Sequence, residues 1–413
     1  MLSNRGIHYD NYSYFQRRYV TSYLAANRKK GVIDLHRAEM KLMEDIINEK
    51  VTEAMQDLIQ PDILYPVGQS PRFGKTVADF LSDYFRAKKI LPEEIMALSG
   101  VGAALEFLAF CLADPGDSFL LAGPNYFKIE VDIGERCEVK TIIIPSSAQH
   151  GFQLCLSAVE KTFQDAVKKG QRVKGLILVN PTNPTGDVFS EELLMNILHF
   201  CKRNELHVIV DEIYALSVFG DGTEFDSVLS MAVPDPERTH FVWGPSKDFG
   251  LAGLRLGLLY TKNPMLARLF TRCGEHWRTS PMIMELFCRI VEDKEWMTNV
   301  FLPIHKKRLQ EAHSYSKERL EAMDVPVHPS TSSVFIWANF SQYLESNSQE
   351  AELQLFLELR AEGVLISPGC TNLYCQEPGW FRVLATASHR DTVEGLSRIQ
   401  AVLNRVKAKK RDG

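Results

Sequence analysis

The sequence predicts an α/β fold in which a large domain, built on a mostly parallel sheet, is followed by a smaller α+β C-terminal domain. The chain has 413 residues, which exceeds what one simple core accommodates and favours two packed domains. Between residues 92 and 261, short apolar runs alternate with amphipathic helical patterns. From about Met265 onward, long helical stretches precede three further apolar runs, so the organisation changes there.

Six apolar runs in the first part are predicted strands of one sheet. The runs are continuous rather than alternating, which is typical of strands covered by helices on both faces. In chain order they are SFLLAG (118–123), VKTIIIP (139–145), GLILVN (175–180), HVIVDE (207–212), THFVWG (239–244) and LRLGLLY (254–260). Between the third and fourth runs lies SEELLMNILHFCKRN, which begins with Ser190 as a predicted helix N-cap. Such a strand–helix–strand unit predicts parallel neighbours.

The remaining runs define the predicted domain boundaries. VFIWANF (334–340), GVLISPG (363–369) and WFRVLAT (380–386) are predicted strands of the small C-terminal domain, which spans residues 266–413. The large domain spans residues 46–265. Residues 1–45 are predicted to pack with the small domain, where GVIDL (31–35) adds a strand.

Composition excludes several classes of partner and site. A net charge of -5 gives no electrostatic reason to expect nucleic acid or an anionic membrane as a partner. No apolar stretch approaches ~20 residues, and the N-terminus lacks the apolar region of a secretory signal. The eight cysteines form no CxxC pair, which is typical of reduced thiols rather than of a disulfide framework or a zinc site. We therefore expect a cytoplasmic protein without a metal site.

Side chains capable of chemistry follow the predicted strands where each strand ends. Ligands of open α/β sheets bind beyond the carboxyl ends of the strands, so we expect these residues to lie together. The glycine-containing turn SGVG (99–102) also precedes a predicted helix. The candidates are Tyr126 after the first run, Asn183 after the third, Asp211 and Tyr214 after the fourth, Ser246 and Lys247 after the fifth, and Arg255 eight residues later.

Each of these features, taken alone, has a simpler structural explanation. The turn SGVG could be only a tight turn, and PTNPTG (181–186) could be a rigid loop without chemistry. Asp211 could cap a helix or form a turn, and Lys247 could be a surface lysine beside Asp248. The prediction of a site therefore rests on the combination.

Together the candidates match the requirements of pyridoxal 5′-phosphate (PLP). A desolvated lysine such as Lys247 forms a Schiff base with an aldehyde, and a carboxylate such as Asp211 keeps a pyridine nitrogen protonated. A phenol and an amide hydrogen-bond the ring oxygen, and an aromatic side chain stacks on the heterocycle. An arginine, a serine and a helix N-terminus bind a phosphate dianion. PLP is the cofactor that uses all of these groups.

The motifs NPTNPTG, DEIY and SKDFGLAGLRLG resemble those of fold-type I PLP-dependent enzymes, the class I/II aminotransferases. The closer resemblance is to the 1-aminocyclopropane-1-carboxylate (ACC) synthase branch, including the animal ACC synthase-like proteins. It is carried by LAFCLADPGD, VKGLILVNPTNPTGDVFS and EPGWFRV and covers about residues 31–402. The resemblance implies the PLP-dependent transferase fold type I, an α-amino acid as substrate, and a homodimer whose active sites are shared.

The resemblance also implies a role for each candidate. Lys247 binds the cofactor covalently and shuttles the Cα proton. Asp211 pairs with the pyridine nitrogen, while Tyr214 and Asn183 bind the ring oxygen. The remaining implied cofactor contacts are Ser246, Arg255 and the backbone of Val101 and Gly102 at the phosphate, Tyr126 stacked on the ring, and Tyr65 contributed to the neighbouring subunit.

Substrate contacts are implied for Arg382, Glu39 and Tyr65. Arg382 in PGWFRV matches the arginine that grips the substrate α-carboxylate, a task suited to a planar guanidinium. A strand-end salt bridge is the structural alternative for Arg382. Glu39 in HRAEM matches the glutamate of the branch's GLAEN segment, and a simple acid at a helix start is the alternative.

Three functions are compatible with this set of residues. The favoured one is an ACC synthase-like lyase acting on S-adenosylmethionine or a related amino acid with a γ leaving group. The alternatives are an aminotransferase acting on an amino acid and a 2-oxo acid, and a catalytically retired binding protein. His36 and Met40 replace the glycine and asparagine of GLAEN, which puts the substrate in question. Glycines at 102 and 244 replace hydroxyl residues of the phosphate site, a change expected to weaken cofactor binding modestly.

Overall fold

The large domain of the computed structural model, which describes residues 31–56, 58 and 70–412, is built on a seven-stranded sheet. The strand order is β2-β8-β7-β6-β5-β3-β4. Within this sheet β8 alone runs against the other strands, so the predicted mostly parallel arrangement is confirmed. The strands are β2 (Ile95–Leu98), β3 (Ser118–Ala122), β4 (Lys140–Ile144), β5 (Val173–Val179), β6 (His207–Asp211), β7 (Thr239–Trp243) and β8 (Gly257–Thr261).

Helices cover the sheet because its central strands are apolar along nearly their whole length and need burial on both faces. The predicted N-cap is confirmed at Ser190, whose Oγ accepts the Leu193 N–H at 3.2 Å. No helix among the described residues combines the length and apolar character needed to cross a bilayer. The helices of this part are α1 (Glu44–Ala54), α2 (Pro71–Phe85), α3 (Val101–Leu112), α4 (Lys128–Gly134), α5 (Leu156–Lys168), α6 (Glu191–Arg203), α7 (Pro245–Asp248), α8 (Pro264–Cys273) and α9 (Pro281–Val291).

The C-terminal part contains two smaller sheets. One has the order β11-β12-β9 and is antiparallel, and the other pairs β1 with β10 in parallel. Ile33 lies opposite Val364, so the strand predicted from GVIDL does join the small domain. The elements are β1 (Ile33–Asp34), β9 (Phe335–Asn339), β10 (Val364–Leu365), β11 (Ser367–Pro368), β12 (Trp380–Leu384), α10 (Lys294–Trp296), α11 (Leu302–Glu321), α12 (Gln349–Ala361), α13 (Gly369–Asn372) and α14 (His389–Asp412).

Two strand details of the large sheet differ from the prediction. The strand β2 was not among the predicted runs, although it pairs with β8 over four residues. The run at 254–260 becomes a strand only from Gly257, because Leu254 ends a 3-10 turn and Arg255 has a φ of 53°. The left-handed backbone at Arg255 cannot continue a pleated strand.

The direction of the strands places the functional residues at one edge of the sheet. The carboxyl ends of β5, β6 and β7 meet there, as does the end of β2. Since β8 runs the opposite way, its beginning lies at the same edge. Residues that precede β8 are thereby brought next to residues that follow β7. The domain boundaries at residues 45 and 265 stay a prediction.

Candidate active site

A cleft of about 830 Å³, a volume that includes space open to solvent, lies at the carboxyl edge of the large sheet. It is lined by side chains from four strand ends and by the N-terminus of α3. The structure brings nine of the predicted site residues into this cleft: Val101, Gly102, Tyr126, Asn183, Asp211, Tyr214, Ser246, Lys247 and Arg255. The rule that ligands gather at strand ends thus located most of the cleft wall from sequence.

Lys247 projects into the cleft from α7, a single helical turn after β7. Its Nζ donates a hydrogen bond to the backbone oxygen of Ala38 at 2.8 Å. Burial, followed by the positive charge of Arg382, lowers the pKa of Lys247 to about 8. Roughly a tenth of this amine is therefore neutral at pH 7, far more than for an ordinary lysine, and the neutral form is the one that a nucleophile or a base requires.

The adjacent Asp248 is buried and fixes the turn that carries Lys247. Its carboxylate accepts hydrogen bonds from Ser217 Oγ at 2.6 Å, from Trp243 Nε1 at 2.9 Å and from the backbone N–H of Leu216 at 3.2 Å. Asp248 therefore does not pair with Lys247 as a surface salt bridge would. The surface-lysine explanation does not describe this arrangement.

Asp211 closes the floor of the cleft at the end of β6. Its Oδ1 accepts the N–H of Ile213 at 3.1 Å. Burial, with a further contribution from the negative charge of Asp132, raises the pKa of Asp211 to about 7. A buried carboxylate of this kind gains most from a cationic hydrogen-bond donor, which is what a protonated pyridine nitrogen provides.

Asn183 joins the floor of the cleft to Arg382. Its Nδ2 donates to the hydroxyl of Tyr214 at 3.3 Å, and its Oδ1 accepts from Arg382 Nη1 at 3.0 Å. Arg382 is almost fully buried, and its Nη2 also donates to the backbone oxygen of His36 at 3.0 Å and to Ser367 Oγ at 3.3 Å. The guanidinium is thus held by side chains from both domains, with its charge next to the cleft.

The turn from Ser99 to Gly102 and Arg255 form one end of the cleft. Gly100 has a φ of 96°, a left-handed backbone that favours glycine, and a Cβ there would lie 2.4 Å from the end of the Arg255 side chain. Arg255 Nη2 donates to the backbone oxygen of Ser99 at 3.3 Å. Val101 and Gly102, the first residues of α3, line the same space, which gives the turn the features of an anion site.

Sequence reasoning missed the pair formed by Lys128 and Asp132. Both line the cleft, and Lys128 Nζ pairs with the Asp132 carboxylate. A Cβ on Gly102 would lie 2.9 Å from Asp132 Oδ2, so this carboxylate takes the space that a side chain at 102 would need. The sequence did contain a signal for this ion pair, because Lys128 and Asp132 are four residues apart in a helix that begins just after Tyr126.

His36 and Ser367 form a second group that the sequence did not assign, although the substitution at His36 was noted. His36 Nδ1 lies 2.5 Å from Ser367 Oγ. Burial, then the charge of Arg382, lowers the pKa of His36 to about 3, so the ring is neutral. Because Arg382 donates to Ser367 Oγ, the serine proton is free to point at His36 Nδ1. The unusual residue of the HRAEM segment thus lies beside the predicted carboxylate-binding arginine.

The two remaining predicted residues are not brought into the cleft by the described part of the chain. The carboxylate of Glu39 is 39% exposed and pairs with Arg37 at 3.2 Å and Lys41 at 3.7 Å. Its charge still acts on Lys247 from outside the cleft. Tyr65 lies outside the described residues. Substrate roles for both stay predictions.

Comparison with known proteins identifies the family. The sequence model of the family described as aminotransferase class I and II matches residues 30–399 of this chain. The chain belongs to this family. Its cofactor is pyridoxal 5′-phosphate, and the cleft fits that group because it offers an amine, a buried acid and an anion-binding turn in one space.

Individual relatives place the chain further within the family. A human protein named "probable inactive 1-aminocyclopropane-1-carboxylate synthase-like protein 2" is 38% identical over 361 residues, covering 85% of this chain and 63% of that protein. The chain therefore spans less than two thirds of that relative's length. The mouse "1-aminocyclopropane-1-carboxylate synthase-like protein 1" is 35% identical over 383 residues, covering 90% of this chain and 76% of that one.

A solved structure confirms the predicted fold-type I architecture. The aromatic aminotransferase of Pyrococcus horikoshii superposes with a TM-score of 0.78 at 21% identity. The superposition covers 94% of this chain and 99% of the other. At this level of identity the likeness concerns the fold.

Proposed function

We propose that this chain is a PLP enzyme that removes the Cα proton of an amino acid and expels a leaving group from Cγ, as an ACC synthase-like lyase. The observation that carries the proposal is the placing of an amine of lowered pKa, Lys247, in one cleft with Asp211 and beside Arg382. This set supplies a base, a charge partner for a heterocycle and a carboxylate receptor.

The proton transfers are assigned to this chain's own residues. When bound, pyridoxal 5′-phosphate supplies an electron-withdrawing ring to which the substrate's amino group is attached. Lys247 Nζ, whose pKa is lowered to about 8, accepts the Cα proton in its neutral form. Asp211 would hold a protonated ring nitrogen, whose positive charge would favour the ionised form of the acid despite its burial.

Binding and orientation are assigned to the group around Arg382. The Arg382 guanidinium donates two parallel hydrogen bonds to the substrate carboxylate once one of its present acceptors is displaced. Asn183 keeps contact with both Arg382 and Tyr214, so the carboxylate and the ring oxygen are held at a fixed spacing. A fixed spacing keeps the Cα proton within reach of Lys247.

A second candidate, an aminotransferase, is favoured by one observation. The neutral ring of His36, buried against Ser367, occupies the segment where the lyase branch has a glycine. A bulkier residue beside Arg382 changes the room for a substrate and argues for a different amino acid. The lyase stays the main proposal because the chain carries the branch motifs LAFCLADPGD and EPGWFRV, the second of which contains Arg382.

One incubation separates the two candidates. PLP-loaded protein is mixed with S-adenosylmethionine without any 2-oxo acid, and methylthioadenosine is measured by liquid chromatography. The lyase releases methylthioadenosine under these conditions, whereas product that forms only after a 2-oxo acid is added supports the aminotransferase. Lys247→Ala should lose turnover, while Lys262→Ala, which removes an exposed lysine just after β8, should keep it.

The third possibility, a retired binding protein, is tested by cofactor attachment. The human relative is named as probably inactive, so the question is specific to each chain. Purified protein should be yellow, and borohydride should fix the cofactor on Lys247, as read by peptide mass spectrometry. Colourless protein with unmodified Lys247 after incubation with PLP supports a binding protein that has lost catalysis and contradicts the proposed enzyme activity.

We also infer a cytoplasmic homodimer with shared active sites. All eight cysteines are free in the described residues, in keeping with a reducing compartment. The shared site is testable by mixing subunits of Lys247→Ala and Tyr65→Phe, each of which is expected to be impaired. Recovery of activity in the mixture, through hybrids with one intact site, supports exchange of Tyr65 between subunits.

A further inference from the structure

The connection between β11 and β12, residues 369–379, links the small domain to the wall of the cleft. The backbone oxygen of Leu373 accepts the N–H of Asn125, a cleft residue, at 2.7 Å. The hydroxyl of Tyr374 is hydrogen-bonded to Glu130 of α4, and the Tyr374 ring packs against the apolar cluster that includes Tyr126. A displacement of this connection would therefore displace residues at the wall of the cleft.

A single buried carboxylate ties the two ends of the connection together. Glu352 of α12 has no exposed surface. Its Oε1 accepts the N–H of Cys370 at 2.9 Å, and its Oε2 accepts the N–H of Gly379 at 2.9 Å. Burial raises the pKa of Glu352 to about 7, against the effect of these N–H donors. An acid at a fully buried position is unusual unless its hydrogen bonds have a specific task.

The far end of the connection leads straight into the strand of Arg382. Gly379 has a φ of 97°, and a Cβ there would lie 2.6 Å from the backbone of Ser341, so the chain has no room to shift toward that side. β12 begins at the next residue, and Arg382 follows opposite Ser367 in the ladder. The position of the Gly379 N–H thus sets the start of the strand that carries the guanidinium.

We propose that Glu352 is a positioning residue for amino-acid binding, which holds Arg382 and the Tyr126 wall at the spacing that a substrate carboxylate requires. The inference rests on the proposed function of Arg382 as the carboxylate receptor. A carboxylate suits the task because each of its two oxygens accepts one backbone N–H. An amide of the same shape has one oxygen, and its NH2 group would face a backbone donor.

The test compares Glu352→Gln with Glu350→Gln, which changes an exposed acid on the same helix. Calorimetric titration of the PLP-loaded proteins uses two probes, L-methionine and its carboxylate-free analogue 3-(methylthio)propylamine. Loss of one charge-assisted hydrogen bond should weaken methionine binding about tenfold in Glu352→Gln. Binding of the amine should change less than twofold, and Glu350→Gln should match the wild type with both probes.

The outcomes separate this inference from the proposed function. If wild-type protein binds both probes equally, the carboxylate role of Arg382 fails and the inference fails with it. If the wild type prefers methionine and Glu352→Gln keeps that preference, or loses affinity for both probes alike, only the inference is wrong. Glu352→Asp provides a second test if Glu352→Gln does not fold. Its shorter carboxylate reaches only one of the two N–H groups, so its preference for methionine over the amine should be intermediate.

Discussion

Gly257→Ala is expected to displace the phosphate turn without touching any side chain that binds the cofactor. Gly257 is the first residue of β8 and lies directly beneath the turn from Ser99 to Gly102. A Cβ at this position would lie 2.4 Å from the carbonyl carbon of Gly100 and 2.7 Å from the backbone nitrogen of Val101. Carbon atoms in contact are ~3.5–4.0 Å apart, so the turn must move by roughly 1 Å.

A shift of this size takes the N–H groups at the start of α3 out of hydrogen-bonding range. A bond to a charged group contributes about 1.5–3 kcal/mol, so PLP affinity should fall roughly 10- to 100-fold, with overpacking costing about 1–3 kcal/mol of stability. Titration of the apo-protein with PLP, followed by absorbance, gives the affinity. Gly253→Ala is the matched control, since a Cβ there meets nothing within 4 Å. Equal affinities of the two variants would refute the reasoning.

The remaining predictions concern the base, the ring partner and the core. Covalent uptake of PLP by the apo-protein should speed up as pH rises, with a midpoint near pH 8, because Lys247 loses its proton there. Arg382→Met should move this midpoint to higher pH, because it removes a positive charge that lowers the pKa of Lys247. An unchanged or lower midpoint in stopped-flow absorbance would contradict this. Asp211→Asn should lower turnover on the order of 10²-fold or more while borohydride still fixes PLP on Lys247, since a neutral amide cannot keep a ring nitrogen protonated. Phe287→Ala, at a fully buried ring packed on Phe249, should lower the free energy of unfolding by about 3–5 kcal/mol in a guanidinium titration; a loss below 1 kcal/mol contradicts the packing argument.

The strands of the large sheet were predictable because burial on both faces leaves a continuous apolar run in the sequence. Five of the six predicted runs match strands within two residues at either end. The sixth was placed too early, because Arg255 has a left-handed backbone that its residue type does not predict. The short strand β2 was missed, since IMAL is an apolar run of only four residues.

The site residues that directly follow a strand of the parallel sheet were predictable from the sequence. Asn183, Asp211 and Lys247 each follow a parallel strand, so topology alone brings them together. The contact between Arg382 and His36 joins the two ends of the chain, and no local pattern encodes it. Asp132 lies on a helix, and its position in the cleft depends on the absence of a side chain at residue 102.

The pairing of β1 with β10 has a consequence for biosynthesis. His36 and Arg382 are 346 positions apart, and closing a loop of that length costs about 5 kcal/mol of chain entropy. A polypeptide emerging from the ribosome can therefore assemble the phosphate turn once Arg255 has been made, but it gains the carboxylate clamp only after Arg382 has followed.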